Sequence, residues 1–189
     1  MSDQDLLAAL RRRDPEALAA LFERYADRIY RLAVGLLRDE QQADGVVQDT
    51  FMALIVGIDR FEGRSQISTW LYRVAYNECL MRLRRARSQV ELYDDGDEDV
   101  MPAALVDWRE LPEEIVSGNE ARAHLERAVA ALKPELGAVF LLRDVEELST
   151  RETAQALGIS EALVKVRLHR ARLALREQLA AYFEDYTRA

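Results

Sequence analysis

The residue types that most often carry out chemistry are scarce in this chain. Its 189 residues include only two histidines, His124 and His169, and a single cysteine, Cys79, so no cluster with the ligand spacing of a zinc site can be assembled. Glycine-rich phosphate-binding loops are absent, as are the Ser-x-x-Lys, Gly-x-Ser-x-Gly and HExxH elements of common enzymes. The sequence therefore predicts a protein without a metal, a cofactor or an enzyme active site.

Basic side chains are concentrated in two segments, which favours binding of a polyanion. Residues 161–176 hold five basic side chains and one acidic side chain, although the formal net charge of the chain is −8. Most of that negative charge comes from residues 90–114, which hold ten acidic side chains and one basic side chain. Because local patches decide what a surface attracts, the acidic total does not argue against a nucleic-acid partner.

The second basic segment contains four arginines between residues 82 and 87, at the end of a predicted helix. Positive charge there also complements the helix dipole, so solubility and nucleic-acid contact explain it equally well. Upstream, Arg73, Asn77 and Arg84 share one helix face, and an exposed Asn77 favours contact with bases because asparagine is a poor helix former. The aromatic residues nearby are expected mainly in the core.

Residues 149–176 have the pattern of a helix-turn-helix. Ser149 and Glu152 form a capping box, Gly158 suits the left-handed end of the first helix, and Ser160 is a good cap for the second. An ordinary helical hairpin with a solvated basic face is the alternative. The predicted inner face of the second helix consists of Val164, Leu168, Ala171 and Leu175. The predicted outer face consists of Glu161, Lys165, Val166, His169, Arg172 and Arg176.

Helical periodicity over the rest of the chain predicts an all-α protein. Asp14 followed by Pro15 is a helix start signal, and the apolar positions that follow, Phe22 among them, build one buried face. Further helices are predicted at about 43–58 and 68–88. Periodicity resumes near residue 120 and is interrupted at Lys133-Pro134.

An acidic segment without periodicity separates the two helical parts and is predicted to be an extended linker. We therefore expect two small helical domains, at 1–89 and 115–189, joined by an acidic linker at 90–114. No apolar run is long enough for a membrane span, the N-terminus is acidic rather than signal-like, and the single cysteine suits a reducing compartment. A cytoplasmic protein is expected.

In combination, these features resemble the extracytoplasmic-function (group IV) RNA polymerase sigma factors of the sigma-70 superfamily, the minimal form with only regions 2 and 4. The resemblance covers about residues 14–180, and several independent motifs occur in the right order. The segments that carry it are 43–51, 61–65, 69–77, 139–144, and 158–160 together with 164–172.

The resemblance implies that the first domain is sigma region 2. In this family the helix matching 43–56 docks on the clamp helices of the polymerase β′ subunit, which implicates Asp44, Gln48 and Asp49. The loop matching 61–68 captures a base flipped from the −10 element, and the helix matching 69–87 handles the melted strand. The implied −10 residues are Phe61, Gly63, Arg64, Ser65, Arg73, Asn77, Arg84 and Arg85.

The second domain is by the same resemblance sigma region 4, which recognises the −35 element and contacts the β flap. The resemblance implies that the protein directs core polymerase to specific promoters and assists promoter opening, under the control of an anti-sigma factor, as is usual in the family. One departure is Gly45, where the family usually has a second acid: it removes a carboxylate that would contact the clamp. The implied −35 residues are Lys165, Val166, His169, Arg170, Arg172 and Arg176.

Two other functions fit parts of the sequence. A stand-alone helix-turn-helix regulator with an N-terminal sensor domain would bind duplex DNA without polymerase, and a partner-switching protein would not need the basic helix at 161–176.

The acidic linker also has two interpretations. It resembles a nucleic-acid backbone in charge and could occupy basic channels of the polymerase, or it is a solvated tether.

Overall fold

The computed structural model describes residues 3–63, 65–89 and 119–186, and all regular elements in these ranges are helical. The predicted −10 residue Arg64 and the predicted acidic linker at 90–114 lie outside the described residues. The helices are α1 (Asp3–Arg11), α2 (Pro15–Leu37), α3 (Glu40–Gly57), α4 (Ile67–Gln89), α5 (Asn119–Ala131), α6 (Pro134–Phe140), α7 (Thr150–Leu157) and α8 (Glu161–Tyr186), with a 3₁₀ turn at Ile58–Arg60 and a π-helical turn at Leu141–Val145.

Local capping explains where the first long helices begin. The Asp14 carboxylate accepts a hydrogen bond from the Glu16 amide at 3.0 Å, and Pro15 is the first helical residue, which confirms the predicted start of α2. Asp39 caps α3 in the same way through the Gln42 amide, and these hydrogen bonds lower the pKa of Asp39. Because of this cap, α3 starts three residues before the predicted position.

The helices α2, α3 and α4 pack against one another around a common apolar core, with α1 lying against α2. The predicted inner faces are largely confirmed, since Leu21, Ile29 and Leu54 are almost fully buried. The prediction that Phe22 lies in this core was wrong: its side chain is 47% exposed. Phe22 lies at the edge of the buried face of α2, where its ring contacts only the rim of the core, 4.8 Å from the Phe51 ring centre.

The C-terminal helices form a second group in which α8 packs on α5, α6 and α7. Val164, Leu168, Ala171 and Leu175 are all buried, which confirms the inner face predicted for α8. None of the helices in the described ranges is long and apolar enough to cross a membrane.

The two groups are in direct contact, which the sequence did not predict. α2 packs on α5, α6 and the π-helical turn, and α4 packs on α7. A Cβ atom at Gly35 of α2 would lie 2.7 Å from Cδ1 of Leu141, so the missing side chain lets α2 approach the π-helical turn closely. Close packing of α2 against the π-helical turn therefore depends on a small residue as well as on apolar ones.

Two left-handed residues near α7 should respond oppositely to substitution. Glu147 has φ 58° and Gly158 has φ 69°. Because this conformation disfavours residues with a Cβ atom, Glu147→Gly should leave the free energy of unfolding unchanged or raise it by up to about 1 kcal/mol. Gly158→Ala should lower it by about 1 kcal/mol. Thermal unfolding of both variants checks the pair, and a loss of stability in Glu147→Gly would contradict the expectation.

Candidate nucleic-acid interface

The helix-turn-helix predicted from the sequence is present with its capping interactions. The Ser149 hydroxyl accepts a hydrogen bond from the Glu152 amide at 3.1 Å, and the Glu152 carboxylate accepts one from the Ser149 amide at 2.8 Å. These contacts lower the pKa of Glu152. Gly158 ends α7 in the left-handed conformation, and the Ser160 hydroxyl caps α8 by accepting from the Leu163 amide at 3.1 Å. The turn thereby fixes the angle at which α8 leaves α7.

The outer face of α8 carries the basic side chains predicted to meet DNA. Lys165 and Arg176 are exposed, whereas Val166, His169 and Arg170 are half-buried on the same surface. The major groove of DNA is wide enough to admit an α-helix, and a basic outer face suits contact with DNA there. Base contact by these residues stays a prediction.

Arg172 is held inside the C-terminal group of helices. Its Nε and Nη2 atoms donate to the two Asp144 oxygens at 2.9 and 2.7 Å, and the Asp144 side chain is only 6% exposed. This two-pronged, charge-assisted contact joins α8 to the π-helical turn. Although Arg172 was predicted to face outward, its guanidinium thus supports the packing of α8. Sequence reasoning missed Asp144, because a single acid in a helical pattern gives no sign of its partner.

The loop before α4 borders a cavity of about 560 Å³. The Phe61 ring packs edge-on against Trp70, 6.2 Å between ring centres, and the Phe61 carbonyl accepts from Arg11 at 2.7 Å. Gly63 is exposed with φ 71°. The buried Thr69 hydroxyl has no hydrogen-bond partner among the described residues, although it lines this cavity. The cavity wall includes Leu10, Phe61, Ser65, Thr69, Glu152 and Gln155.

The face of α4 combines exposed cations with buried aromatics. The side chains of Arg73, Asn77, Arg84 and Arg85 are exposed, so the structure leaves all four accessible. Tyr72 and Tyr76 are buried, as expected for helix aromatics. Burial also raises the pKa of Cys79 to about 12, so this thiol is not a reactive group at neutral pH.

The polar face of α3 presents the three residues predicted to contact polymerase. Asp44, Gln48 and Asp49 are all exposed. Asp49 is not isolated, since its carboxylate accepts a hydrogen bond from Nη2 of Arg82 on α4. In the sequence Arg82 belongs to the cluster of arginines at the end of α4, whereas in the structure its side chain turns towards α3.

Family models match both helical groups. The model for sigma-70 region 2 matches residues 21–89, and the model for sigma-70 region 4 matches residues 122–175. The chain is 33% identical over 169 residues to the ECF RNA polymerase sigma factor SigW of Bacillus subtilis (strain 168), which covers 88% of this chain and 90% of SigW. It is also 33% identical to SigM of Mycobacterium tuberculosis (strain H37Rv) over 92% of this chain and 83% of SigM. The chain belongs to the ECF RNA polymerase sigma factors.

Solved structures support the fold of this sigma factor. One is CnrH in complex with the cytosolic domain of CnrY, with a TM-score of 0.64 and 23% identity over 95% of this chain and 97% of that chain. Another is the sigma factor RpoE from Bartonella quintana in complex with the anti-sigma factor NepR, with a TM-score of 0.64 and 21% identity over 86% and 96% of the two chains. Sigma factors are initiation factors that direct core RNA polymerase to promoters, and in general they are not enzymes.

In this sigma factor, Glu146 joins regions 2 and 4. Its side chain is 1% exposed and accepts hydrogen bonds from Arg28 and from Arg31, whose Nη2 lies at 2.8 Å. The Tyr72 hydroxyl donates to the same carboxylate at 2.9 Å. Burial, together with the Glu146 charge, raises the pKa of Tyr72, so the hydroxyl stays protonated and able to donate. Sequence reasoning missed this buried cluster because the partners of Glu146 lie 74 to 118 residues away from it in the chain.

Proposed function

We propose that this ECF sigma factor binds core polymerase through the exposed face of α3, formed by Asp44, Gln48 and Asp49. The arrangement of this face supports the proposal, because Val46, Val47 and Leu54 hold the opposite side of the helix in the core. The proposed domain boundaries are region 2 at 1–89, the linker at 90–114 and region 4 at 115–189. We propose the β′ clamp helices as the partner of α3 and the β flap as the partner of region 4.

We propose that the cavity beside Phe61 receives a base of the melted −10 element. Ser65 offers a hydrogen bond to such a base, and the Phe61 ring, which lines the cavity, offers a surface for stacking. Along α4 the exposed Arg73, Arg84 and Arg85 would neutralise phosphates, with Asn77 available to a base edge. Gly63 and Arg64 complete the set of residues proposed to contact the −10 element.

We propose that the outer face of α8 recognises the −35 element. The observation that carries this assignment is the capped helix-turn-helix, which presents Lys165 and its neighbours on a helix whose opposite face is buried. In this proposal Lys165, Val166 and His169 contact base edges, and Arg170 and Arg176 contact phosphates. Arg172 would act mainly by fixing α8 through Asp144.

Three further assignments follow from family membership. We propose that the chain performs no chemistry of its own, acts in the cytoplasm with the polymerase, and is controlled by an anti-sigma factor. The last of these is supported by the solved RpoE structure, in which a sigma factor of similar fold is bound by its anti-sigma factor.

Run-off transcription tests the proposed function. Purified core polymerase should produce the specific transcript from a cognate promoter only when this protein is added, and the protein alone should bind duplex DNA weakly. Tight promoter binding without polymerase would favour the stand-alone regulator instead.

Substitutions at two exposed residues of α8 should distinguish base recognition from phosphate contact. Lys165→Ala should relax the preference at particular −35 positions, because a good side-chain contact with a base is worth about 1–3 kcal/mol. Arg176→Ala should weaken binding to all promoters alike. It should also reduce the slope of log binding constant against log salt concentration by about one unit. Transcription from a library randomised across the −35 element measures both. An unchanged preferred sequence in Lys165→Ala would show that Lys165 does not contact a base.

A further inference from the structure

Gly45 and Arg82 form an unusual contact between α3 and α4. A Cβ atom at Gly45 would lie 2.9 Å from Nη1 and 3.0 Å from Nη2 of Arg82, so the guanidinium occupies the space that a side chain at position 45 would need. This explains how the chain accommodates glycine inside α3, where it is intrinsically unfavourable. The carboxylate expected at position 45 is replaced by a guanidinium from the neighbouring helix.

The same guanidinium restrains a residue of the proposed polymerase surface. Arg82 Nη2 donates to Asp49 Oδ2, and the two side chains are 22% and 52% exposed, respectively. Arg82 is therefore anchored on the protein side, while half of the Asp49 side chain still faces solvent. Oδ2 is engaged by Arg82, which leaves Oδ1 for contact with a partner.

We propose that Arg82 is a positioning residue for polymerase docking: lying in the notch left by Gly45, it holds the Asp49 carboxylate in one orientation on the α3 face. The inference rests on the proposed docking function of that face. A carboxylate that is already restrained loses less side-chain freedom on binding, and the saving for one side chain corresponds to an affinity gain of about three- to tenfold. Arg82 also offsets part of the Asp49 charge. Because that charge is half-exposed and screened by solvent, the restraint has the larger effect.

The test measures binding of the full chain to purified core RNA polymerase without DNA, by biolayer interferometry. Arg82→Ala should weaken binding by about three- to tenfold. In an Asp49→Ala background, the same substitution should change binding by less than about twofold, because Arg82 acts through Asp49. Met81→Ala, at an exposed neighbouring position on α4, is the matched control and should bind like the parent.

Gly45→Ala separates a loss of positioning from a loss of folding. The added methyl group forces the end of the Arg82 side chain to shift, which disturbs the orientation that it gives to Asp49, so this variant should also bind polymerase more weakly. Alanine nevertheless favours the helix, so its thermal stability should be equal to or higher than that of the parent. Weaker binding together with undiminished stability is the expected signature.

Several results would overturn the inference. Tighter binding by Arg82→Ala would show that charge neutralisation dominates, and an undiminished Arg82 effect in the Asp49→Ala background would show direct contact with polymerase. Parent-like binding by Gly45→Ala would show that the notch has no role. Asp49→Arg with Gln48→Ala serves as the separate test of the docking face. If that variant binds normally, the proposed docking function fails; if it binds weakly while Arg82→Ala does not, only the positioning role fails.

Discussion

Replacing Arg172 with alanine is expected to lower the free energy of unfolding by about 2–4 kcal/mol. The reason is Asp144, whose side chain is only 6% exposed and would lose both of its guanidinium hydrogen bonds. Replacing a solvent-facing residue on the same helix should lower the free energy of unfolding by less than about 0.5 kcal/mol, so Lys165→Ala is the matched control. Urea unfolding followed by circular dichroism measures both variants.

A double-mutant cycle isolates the contribution of this ion pair. Asp144→Ala combined with Arg172→Ala should cost less than the sum of the single substitutions, because neither partner is then left unpaired. Asp144→Asn keeps the Arg172 side chain and weakens only its anchor. That variant should lower transcription at all promoters without changing the preferred −35 sequence. A loss of stability in Arg172→Ala as small as that in Lys165→Ala would contradict the structural role.

Glu146→Gln should have the second large effect, on the packing of region 2 against region 4. An amide cannot balance the charges of both Arg28 and Arg31, so the contact should weaken by about 2–3 kcal/mol. This figure lies below the usual cost for a fully buried pair, because the two arginine side chains are 32% and 45% exposed. Small-angle X-ray scattering should report a larger radius of gyration for the variant.

The neighbouring glutamate provides the control for this experiment. Glu147 is exposed, so Glu147→Gln should leave both the radius of gyration and the stability unchanged. An equal radius of gyration for the parent and Glu146→Gln would show that apolar contacts alone hold the regions together.

Local signals in the sequence predicted the start of α2 and the helix-turn-helix correctly. Asp14 with Pro15, the capping box at Ser149 and Glu152, and the left-handed Gly158 each work through atoms a few residues apart, so the spacing of residue types suffices to recognise them. The inner face of α8 was predictable for the same reason, because helical periodicity places Val164 and Leu168 on one side. The error at Phe22 shows the limit of this reasoning. Periodicity tells which side of a helix a residue lies on, but not how far the neighbouring helix extends to cover it.

The sequence by itself determined the all-α class, the two helical groups, the capped helix-turn-helix and the resemblance to sigma factors. Only the tertiary structure decided which charged side chains are partners. Arg82 turns to Asp49, Arg172 to Asp144, and Arg28 to Glu146, across 33, 28 and 118 residues of chain, respectively. The physical reason is that a side chain's type fixes which partner it can bind, whereas the packing of distant helices fixes which partner comes within reach. A basic residue on a helix therefore looks the same in sequence whether it meets DNA or a carboxylate of its own protein.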